Sequence, residues 1–127
     1  MKAAYLDSSC LVALALDEPG GRQMAARLEQ LDEVYSSNLL EAEFRSVLLR
    51  EAIDEGEELL TRITWILPDR PLSPEMRRVL QSGHLRGADL WHLATALYVA
   101  EQPPELPFLT LDRRQREVAD RMGFPDV

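Results

Sequence analysis

Three aspartates stand at places in the chain from which their carboxylates could act together. Asp7 follows the apolar segment of residues 2–6, "KAAYL", and Asp112 follows residues 107–111, "PFLTL". Both segments are predicted to be strands with a helix after each, so the two acids would lie at the same rim of a parallel sheet. Asp89 lies at the start of a further predicted helix, from which its carboxylate can point toward that rim.

Asp89 is the acid that is hardest to explain by structure alone. It lies in the segment of residues 85–97, "LRGADLWHLATAL", which is apolar or small at almost every position after it. On a helical wheel Asp89 shares its face with Leu93, Ala96 and Ala100. An acid on an apolar helix face costs free energy to desolvate unless something compensates its charge.

Each of the three aspartates also has a structural interpretation as a helix cap. A capping aspartate accepts hydrogen bonds from the free backbone N–H groups of the first turn. This interpretation is strongest for Asp112, because Gln115 follows three residues later, as in a capping box.

The long helix predicted after residue 37 supplies a fourth acid from one of two positions. Glu41 and Glu43 lie about 200° apart on this helix, at the two edges of its apolar stripe, so angles alone do not choose between them. Glu41 can form a surface ion pair with Arg45, four residues later. This pairing slightly favours Glu43 as the acid that faces the rim.

Carboxylates that converge on one crevice repel each other, and a bound cation would relieve the repulsion. Hard divalent cations with oxygen ligands fit such a set, which indicates Mg²⁺ or Mn²⁺. No cluster of cysteines and histidines suggests zinc. His92 lies one turn after Asp89, and we interpret it as a packed structural residue, with a hydrogen-bond donor behind the acids as the alternative.

The charge balance is acidic, with a net charge of −8, which disfavours non-specific binding to nucleic acid. It favours a basic partner, a bound cation or simple solubility. All 14 basic residues except Lys2 are arginines. Arg113, Arg114 and Arg116 follow the last acid and could contact phosphates, although a solvated helix face is the slightly favoured interpretation.

The number of cysteines and the length of the longest apolar run indicate in which cellular compartment the protein works. The single cysteine, Cys10, cannot form an internal disulfide and lies in an apolar run, which indicates core packing. The longest purely apolar run covers residues 10–16, far below the roughly 20 residues that span a bilayer. We therefore expect a cytoplasmic protein with no membrane association.

Strands that alternate with helices predict an α/β fold with a mainly parallel sheet. The predicted strands cover residues 2–6, 33–37 and 107–111, and two further candidate strands cover residues 64–67 and 124–127. The predicted helices cover residues 8–16, 22–31, 38–55, 57–65, 73 onward, 88–101 and 112–121. The expected caps are Ser8 or Ser9, Ser37 or Asn38, and Ser73, with Gly123 ending the last helix.

Four segments, in order and with their spacing, resemble the PIN-domain family, and specifically a VapC-type toxin of a type II toxin–antitoxin pair. They are "YLDSSCLVALAL" from residue 5, "SSNLLEAEFRSVLLRE" from residue 36, "LRGADLWHLATAL" from residue 85 and "FLTLDRRQREVADRMGF" from residue 108. The third segment is very similar to the family's "LR-x-x-D-x-x-HLATAL" signature. The resemblance covers nearly the whole chain and selects Glu43 in the second segment.

The resemblance implies a three-layer α/β/α PIN-like domain over residues 1–127 and an endoribonuclease that uses Mg²⁺ or Mn²⁺. It implies that Asp7, Glu43, Asp89 and Asp112 are both the catalytic and the metal-binding residues. Ser8 and Ser9 match positions where a hydroxyl supports the first aspartate or its water. The implied partners are an RNA substrate, a cognate antitoxin and a second copy of the chain in a homodimer.

Two other classes compete with this interpretation. An aspartate-based phosphotransferase would also have acids at strand ends, but "LDSSC" lacks the second aspartate two residues on that haloacid-type phosphatases use. No lysine follows "FLTL", as a receiver domain would need. A non-catalytic PIN-fold binding module is the other alternative, and the intact set of acids argues against it.

Overall fold

A parallel four-stranded sheet is the centre of the structure, a computed structural model that describes residues 1–100 and 102–126. The strands are β1 (Ala3–Leu6), β2 (Glu33–Ser37), β3 (Ile63–Ile66) and β4 (Phe108–Leu109). The helices are α1 (Ser8–Ala15), α2 (Gly21–Glu29), α3 (Asn38–Arg50), α4 (Glu57–Leu60), α5 (Ser73–Ser82), α6 (Gly87–Val99) and α7 (Arg113–Met122). A short 3-10 helix covers Pro103–Glu105.

The strand order is β3-β2-β1-β4, and all three pairings are parallel. Tyr5 of β1 pairs with Tyr35 of β2 on one side and with Phe108 of β4 on the other. The α/β class and the parallel sheet predicted from the sequence are therefore confirmed. Because β1 and β4 are parallel neighbours, the segments that follow them leave the sheet at the same rim.

Helices cover both faces of the sheet, which gives the predicted three layers. Along β1 the side chains alternate: Leu6 packs in a core with Phe44 of α3, whereas Tyr5 packs in a second core with Leu93 of α6. Helices α1 to α4 enclose the first core and α5 to α7 the second. Cys10 is buried in the first core, as predicted. Burial of a parallel sheet on both faces explains why β1 and β4 consist of apolar residues.

Several predicted elements end differently in the structure, and β4 covers only Phe108–Leu109 of the strand predicted over residues 107–111. Helix α3 ends at Arg50 rather than at residue 55, because Ala52 adopts a left-handed φ of 55° that no helix continues. The helix predicted over residues 57–65 stops at Leu60, and the candidate strand "TWIL" is real as β3. Helix α6 ends at Val99, and its predicted end at residue 101 lies outside the described residues.

The C-terminal segment and three helix ends can also be compared with the predictions. Residues 124–126 form no strand, although the Pro125 carbonyl accepts a hydrogen bond from Phe108 N at 2.8 Å, and residue 127 lies outside the described residues. Ser37 caps α3 as predicted. Ser73 is the first residue of α5 rather than its cap. Gly123 ends α7 with a φ of 96°.

Within residues 1–100 and 102–126, no helix combines the length and the apolar character that crossing a membrane requires.

The contact between α1 and α2 gives a test of the packing. A Cβ on Gly21 would lie 2.6 Å from the Ala13 carbonyl oxygen, whereas a Cβ on Gly87 would meet none of the described residues within 4 Å. Because backbone must move, Gly21→Ala should lower the free energy of unfolding by about 1–3 kcal/mol. Gly87→Ala, also at a first helical position, should leave it unchanged or raise it by up to ~1 kcal/mol. Urea unfolding measures both, and equal stabilities would contradict the tight α1–α2 contact.

Candidate functional site

The three aspartates line one crevice at the rim where β1 and β4 end. The crevice has a volume of about 450 Å³, and Asp7, Asp89 and Asp112 all contribute to its wall. Ser8, Ser9 and Glu18 line it as well. Asp7 follows β1 directly, Asp112 precedes α7, and Asp89 lies in the first turn of α6. Glu18 is an exposed acid of the α1–α2 connection that the sequence reasoning did not single out.

Asp7 is a helix cap as well as a member of this rim. Its side chain is almost fully buried, and its Oδ2 accepts a hydrogen bond from Ser9 N at 3.1 Å. Asp7 therefore caps α1, rather than the predicted Ser8 or Ser9. The hydroxyl of Ser9 accepts a hydrogen bond from Leu111 N at 3.0 Å, which ties the start of α1 to the segment after β4.

A buried pair of polar side chains, Thr110 and Gln115, connects Asp7 with Asp89 and Asp112. The Thr110 hydroxyl lies 2.7 Å from Gln115 Oε1 and 3.3 Å from Asp7 Oδ2. Gln115 Nε2 donates to the Asp89 carbonyl at 3.3 Å, and Gln115 N donates to Asp112 Oδ1 at 2.7 Å. Asp112 thus caps α7 as the sequence suggested. The Gln115 side chain does not return to Asp112 N, which instead donates to Thr110 Oγ1 at 3.0 Å.

Asp89 has no basic side chain at ion-pair distance within the described part of the chain. Burial raises the pKa of Asp89, and the negative charges of Asp7, Asp112 and Glu43 raise it further, while His92 acts in the opposite direction. Its carboxylate therefore lies in the field of the other three acids. The described residues thus supply no arginine or lysine to Asp89, and its pKa stays raised despite His92.

Helix α3 directs Glu43, not Glu41, toward the sheet. Glu43 Oε1 lies 2.8 Å from His92 Nε2. Glu41 instead accepts a hydrogen bond from Arg45 at 2.7 Å and a second from Asn38 at 2.8 Å. Arg45 chiefly lowers the pKa of Glu41. The ion pair between Glu41 and Arg45 that favoured Glu43 in the sequence is present.

His92 connects the glutamate to the aspartates. Its side chain is fully buried, with Nδ1 2.8 Å from the Tyr5 hydroxyl and Nε2 3.8 Å from Asp7 Oδ1. Both interpretations of His92 therefore apply, since it is packed in the core and also bonded to one of the acids. One feature of the sequence indicated this contact, namely the position of His92 one turn after Asp89. No feature of the sequence indicated that Tyr5 would bond to His92.

The donor set of the crevice fits a hard cation that keeps part of its water. Carboxylates are the ionised groups available, and oxygen ligands suit Mg²⁺ and Mn²⁺. Among residues 1–100 and 102–126, no three His, Cys, Asp or Glu side chains come close enough together to chelate one ion directly. Mg²⁺ is usually held by one or two carboxylates with water completing its shell, so spaced acids remain compatible with it.

The three arginines after Asp112 differ in their surroundings. Arg116 is mostly buried and holds the chain end, because it donates to the carbonyls of Phe108 and Phe124. Arg114 donates to the His84 carbonyl and to Glu117, both at 3.2 Å. Arg113 is exposed and makes no side-chain hydrogen bond within the described residues. Arg113 is thus the member of this set that is left for an external ligand.

Comparison with known proteins identifies the family. Residues 4–121 match the family described as PIN domain. The chain is also 33% identical over 130 residues to Ribonuclease VapC46 of Mycobacterium tuberculosis, an alignment that covers 98% of this chain and 95% of that protein. The family match covers the four acids and every strand residue except Ala3 at the start of β1. The chain therefore belongs to the PIN-domain family, as a member of its VapC type.

Proposed function

We propose that this protein is a ribonuclease toxin that hydrolyses RNA phosphodiester bonds with the help of Mg²⁺ or Mn²⁺, and that a cognate antitoxin neutralises it. The observation that carries the proposal is the convergence of Asp7, Asp89 and Asp112 on one crevice, with Glu43 joined to it through His92. The relative is named a ribonuclease, and this name supports the reaction class that we propose.

The acids have two tasks in this proposal. Asp7, Glu43, Asp89 and Asp112 would hold the cation, some of them directly and the others through its bound water, and one of them would accept a hydrogen bond from the water that attacks the phosphorus. A bound divalent cation supplies a water of lowered pKa and offsets charge on the phosphate and the leaving oxygen. Asp7 needs little rearrangement for its task, because Ser9 N already fixes one of its oxygens.

RNA binding by an acidic chain requires local positive charge. The net charge of −8 repels a polyanion, so the acids must be neutralised before phosphates approach. The exposed Arg113 follows Asp112 directly and supplies one fixed cation beside the crevice. Its part in the proposal is to contact a phosphate that flanks the cleaved bond and so to hold the strand in register.

The first prediction concerns Asp89→Asn, which keeps the side-chain shape and removes the charge. RNA cleavage should fall by more than the tenfold to hundredfold that is typical when a residue only supports a ligand. Quantified cleavage of a defined RNA with Mn²⁺ measures the loss, and Asp54→Asn, at an exposed position, is the matched control. Full activity of Asp89→Asn would refute the proposed nuclease site.

The same substitution predicts a pH-dependent gain in stability. Because burial and nearby acids raise the pKa of Asp89, its ionised form destabilises the metal-free fold at pH 7. This loss of stability is fully present above the raised pKa of Asp89 and is absent below the ordinary pKa of 3.8. With chelator present, Asp89→Asn should unfold at the same or a higher urea concentration than the parent at pH 7. The difference should disappear as the pH falls toward 3.8, and a parent that is the more stable at pH 7 would contradict it.

A second prediction compares the two glutamates of α3. A cation that binds only the folded state stabilises it, by about 2.7 kcal/mol at a concentration one hundred times its Kd. Glu43→Gln should lose most of the increase in Tm that Mn²⁺ gives the parent, whereas Glu41→Gln should retain it. Thermal unfolding with chelator and with Mn²⁺ measures this. If Glu41→Gln alone lost the Mn²⁺ shift, the assignment of Glu43 would be wrong.

A third prediction concerns the antitoxin. The charge of −8 favours a basic, arginine-bearing segment that reaches the acidic crevice. Complementary charge mainly speeds association, so the association rate of the co-expressed pair should fall steeply between 50 mM and 500 mM salt, roughly tenfold or more. Surface plasmon resonance measures this rate, and a salt-independent rate would contradict electrostatic recognition. Light scattering of the toxin alone tests the proposed homodimer.

A further inference from the structure

We propose that Tyr5 and His92 are positioning residues that hold Glu43 ready to bind the cation. A hydrogen-bond chain runs from Ser37 N through the Tyr5 hydroxyl and the His92 imidazole to Glu43. It fixes His92 as the tautomer with its proton on Nε2, so that Glu43 gives one oxygen to His92 and keeps the other for the cation. This inference rests on the proposed function and adds to it two residues outside the acidic set.

The chain starts from a phenol that is locked in place. Tyr5 is fully buried, and its ring stacks on Phe108 with the centroids 5.3 Å apart and the planes 6° apart. Ser37 N donates to its oxygen at 3.1 Å. A tyrosine phenol is protonated at pH 7, since its ordinary pKa is about 10, so the buried hydroxyl carries a proton that it must donate. A buried donor without an acceptor would cost about 1–3 kcal/mol.

His92 Nδ1, 2.8 Å away, is the acceptor that this proton reaches. The hydroxyls of Ser36 and Ser37 also lie near the phenol, but the hydrogen bonds of the Tyr5 oxygen are with His92 Nδ1 and Ser37 N. Ser36 donates to the Leu6 carbonyl at 2.7 Å, and Ser37 accepts from Leu39 N at 3.1 Å. Acceptance by Nδ1 leaves the single proton of a neutral imidazole on Nε2.

The other end of the ring requires the same tautomer. Glu43 Oε1 lies 2.8 Å from Nε2, and an ionised carboxylate offers only acceptors. A neutral His92 with its proton on Nδ1 would set a lone pair against that oxygen at hydrogen-bond distance, which is repulsive. The hydrogen bonds at Tyr5 and at Glu43 therefore agree on a donor at Nε2.

This tautomer determines what each group can offer a cation. With a proton on Nε2 and Nδ1 occupied by Tyr5, His92 has no free lone pair and cannot be a ligand itself. Glu43 Oε1 is engaged, and its Oε2 accepts no hydrogen bond from the described residues. The Glu43 side chain is 30% exposed, so solvent reaches part of it, and we assign Oε2 to the ion. Asp7 Oδ1, 3.8 Å from the same nitrogen, lies beside this pair.

The direct test is imidazole ¹⁵N NMR of the metal-free protein at pH 7. The chain has two histidines, so a His84→Gln variant assigns both, and the exposed His84 serves as an internal reference. We expect a proton on Nε2 and none on Nδ1 of His92 in the parent. A proton on Nδ1 would overturn the proposal without any reference to activity.

Tyr5→Phe then tests whether the chain positions Glu43, because it removes the hydroxyl and keeps the stacked ring. We expect the ¹⁵N signature of His92 to shift toward a tautomer mixture and the Kd for Mn²⁺ to rise about tenfold to a hundredfold. Tyr35→Phe, on the neighbouring strand, is the matched control and should change neither quantity. An unchanged His92 signature together with an unchanged Mn²⁺ Kd in Tyr5→Phe would overturn the proposal.

His92 variants supply a second route if Tyr5→Phe folds poorly. The amide of His92→Gln can replace the Nε2 donor, whereas His92→Leu removes it. We expect His92→Gln to bind Mn²⁺ more tightly than His92→Leu, and equal affinities would overturn the positioning role. These readouts do not depend on RNA. A parent that binds Mn²⁺ as expected but cleaves no RNA would refute the proposed function alone.

Discussion

Repulsion between like charges is the constraint that the architecture of this rim must satisfy. Four carboxylates lie close enough for Asp7, Asp112 and Glu43 to raise the pKa of Asp89. The fold holds three of them by hydrogen bonds: Asp7 to Ser9 N, Asp112 to Gln115 N, and Glu43 to His92. Each bond directs a donor dipole at an oxygen and so offsets part of the repulsion. The remaining repulsion between the acids is therefore small enough for the packing of the rest of the domain to offset it.

Strand β1 carries this arrangement because it joins both cores to the site. Leu6 and Tyr5 anchor it in opposite layers, and the next residue along the chain is Asp7. The ring of Tyr5 lies in the apolar layer, and its hydroxyl forms hydrogen bonds with His92 and with Ser37 N at the edge of that layer. Packing on both faces thus fixes the backbone from which the first acid projects. A site built on a doubly buried strand is held more rigidly than one on a loop.

The sequence predicted those parts of the molecule that depend on local pattern. The strand over residues 33–37 and the α/β class followed from the pattern of apolar segments, and the ion pair of Glu41 with Arg45 followed from their spacing of four residues. The Thr110–Asp7 contact and the Tyr5–His92 contact could not be predicted, because they join residues far apart in the chain. The first depends on the parallel pairing of β1 and β4, and the second on the packing of α6 against the sheet. The end of α3 was misplaced for a different reason. Ala52 adopts a left-handed conformation that is uncommon for alanine, so its residue type gave no signal of a stop.

Asp89 shows how stability and chemistry oppose each other in this fold. Helix α6 is buried along most of its length, and a neutral residue at position 89 would suit that burial better than an ionised acid. No lysine or arginine among the described residues lies at ion-pair distance from Asp89, and Gln115 donates a hydrogen bond only to its backbone carbonyl. A domain selected for stability alone would have placed an arginine within reach of this carboxylate, as it did for Glu41. That the described residues supply no arginine or lysine to this acid, at the rim where three others meet, supports our proposal that its partner is a cation from outside the chain.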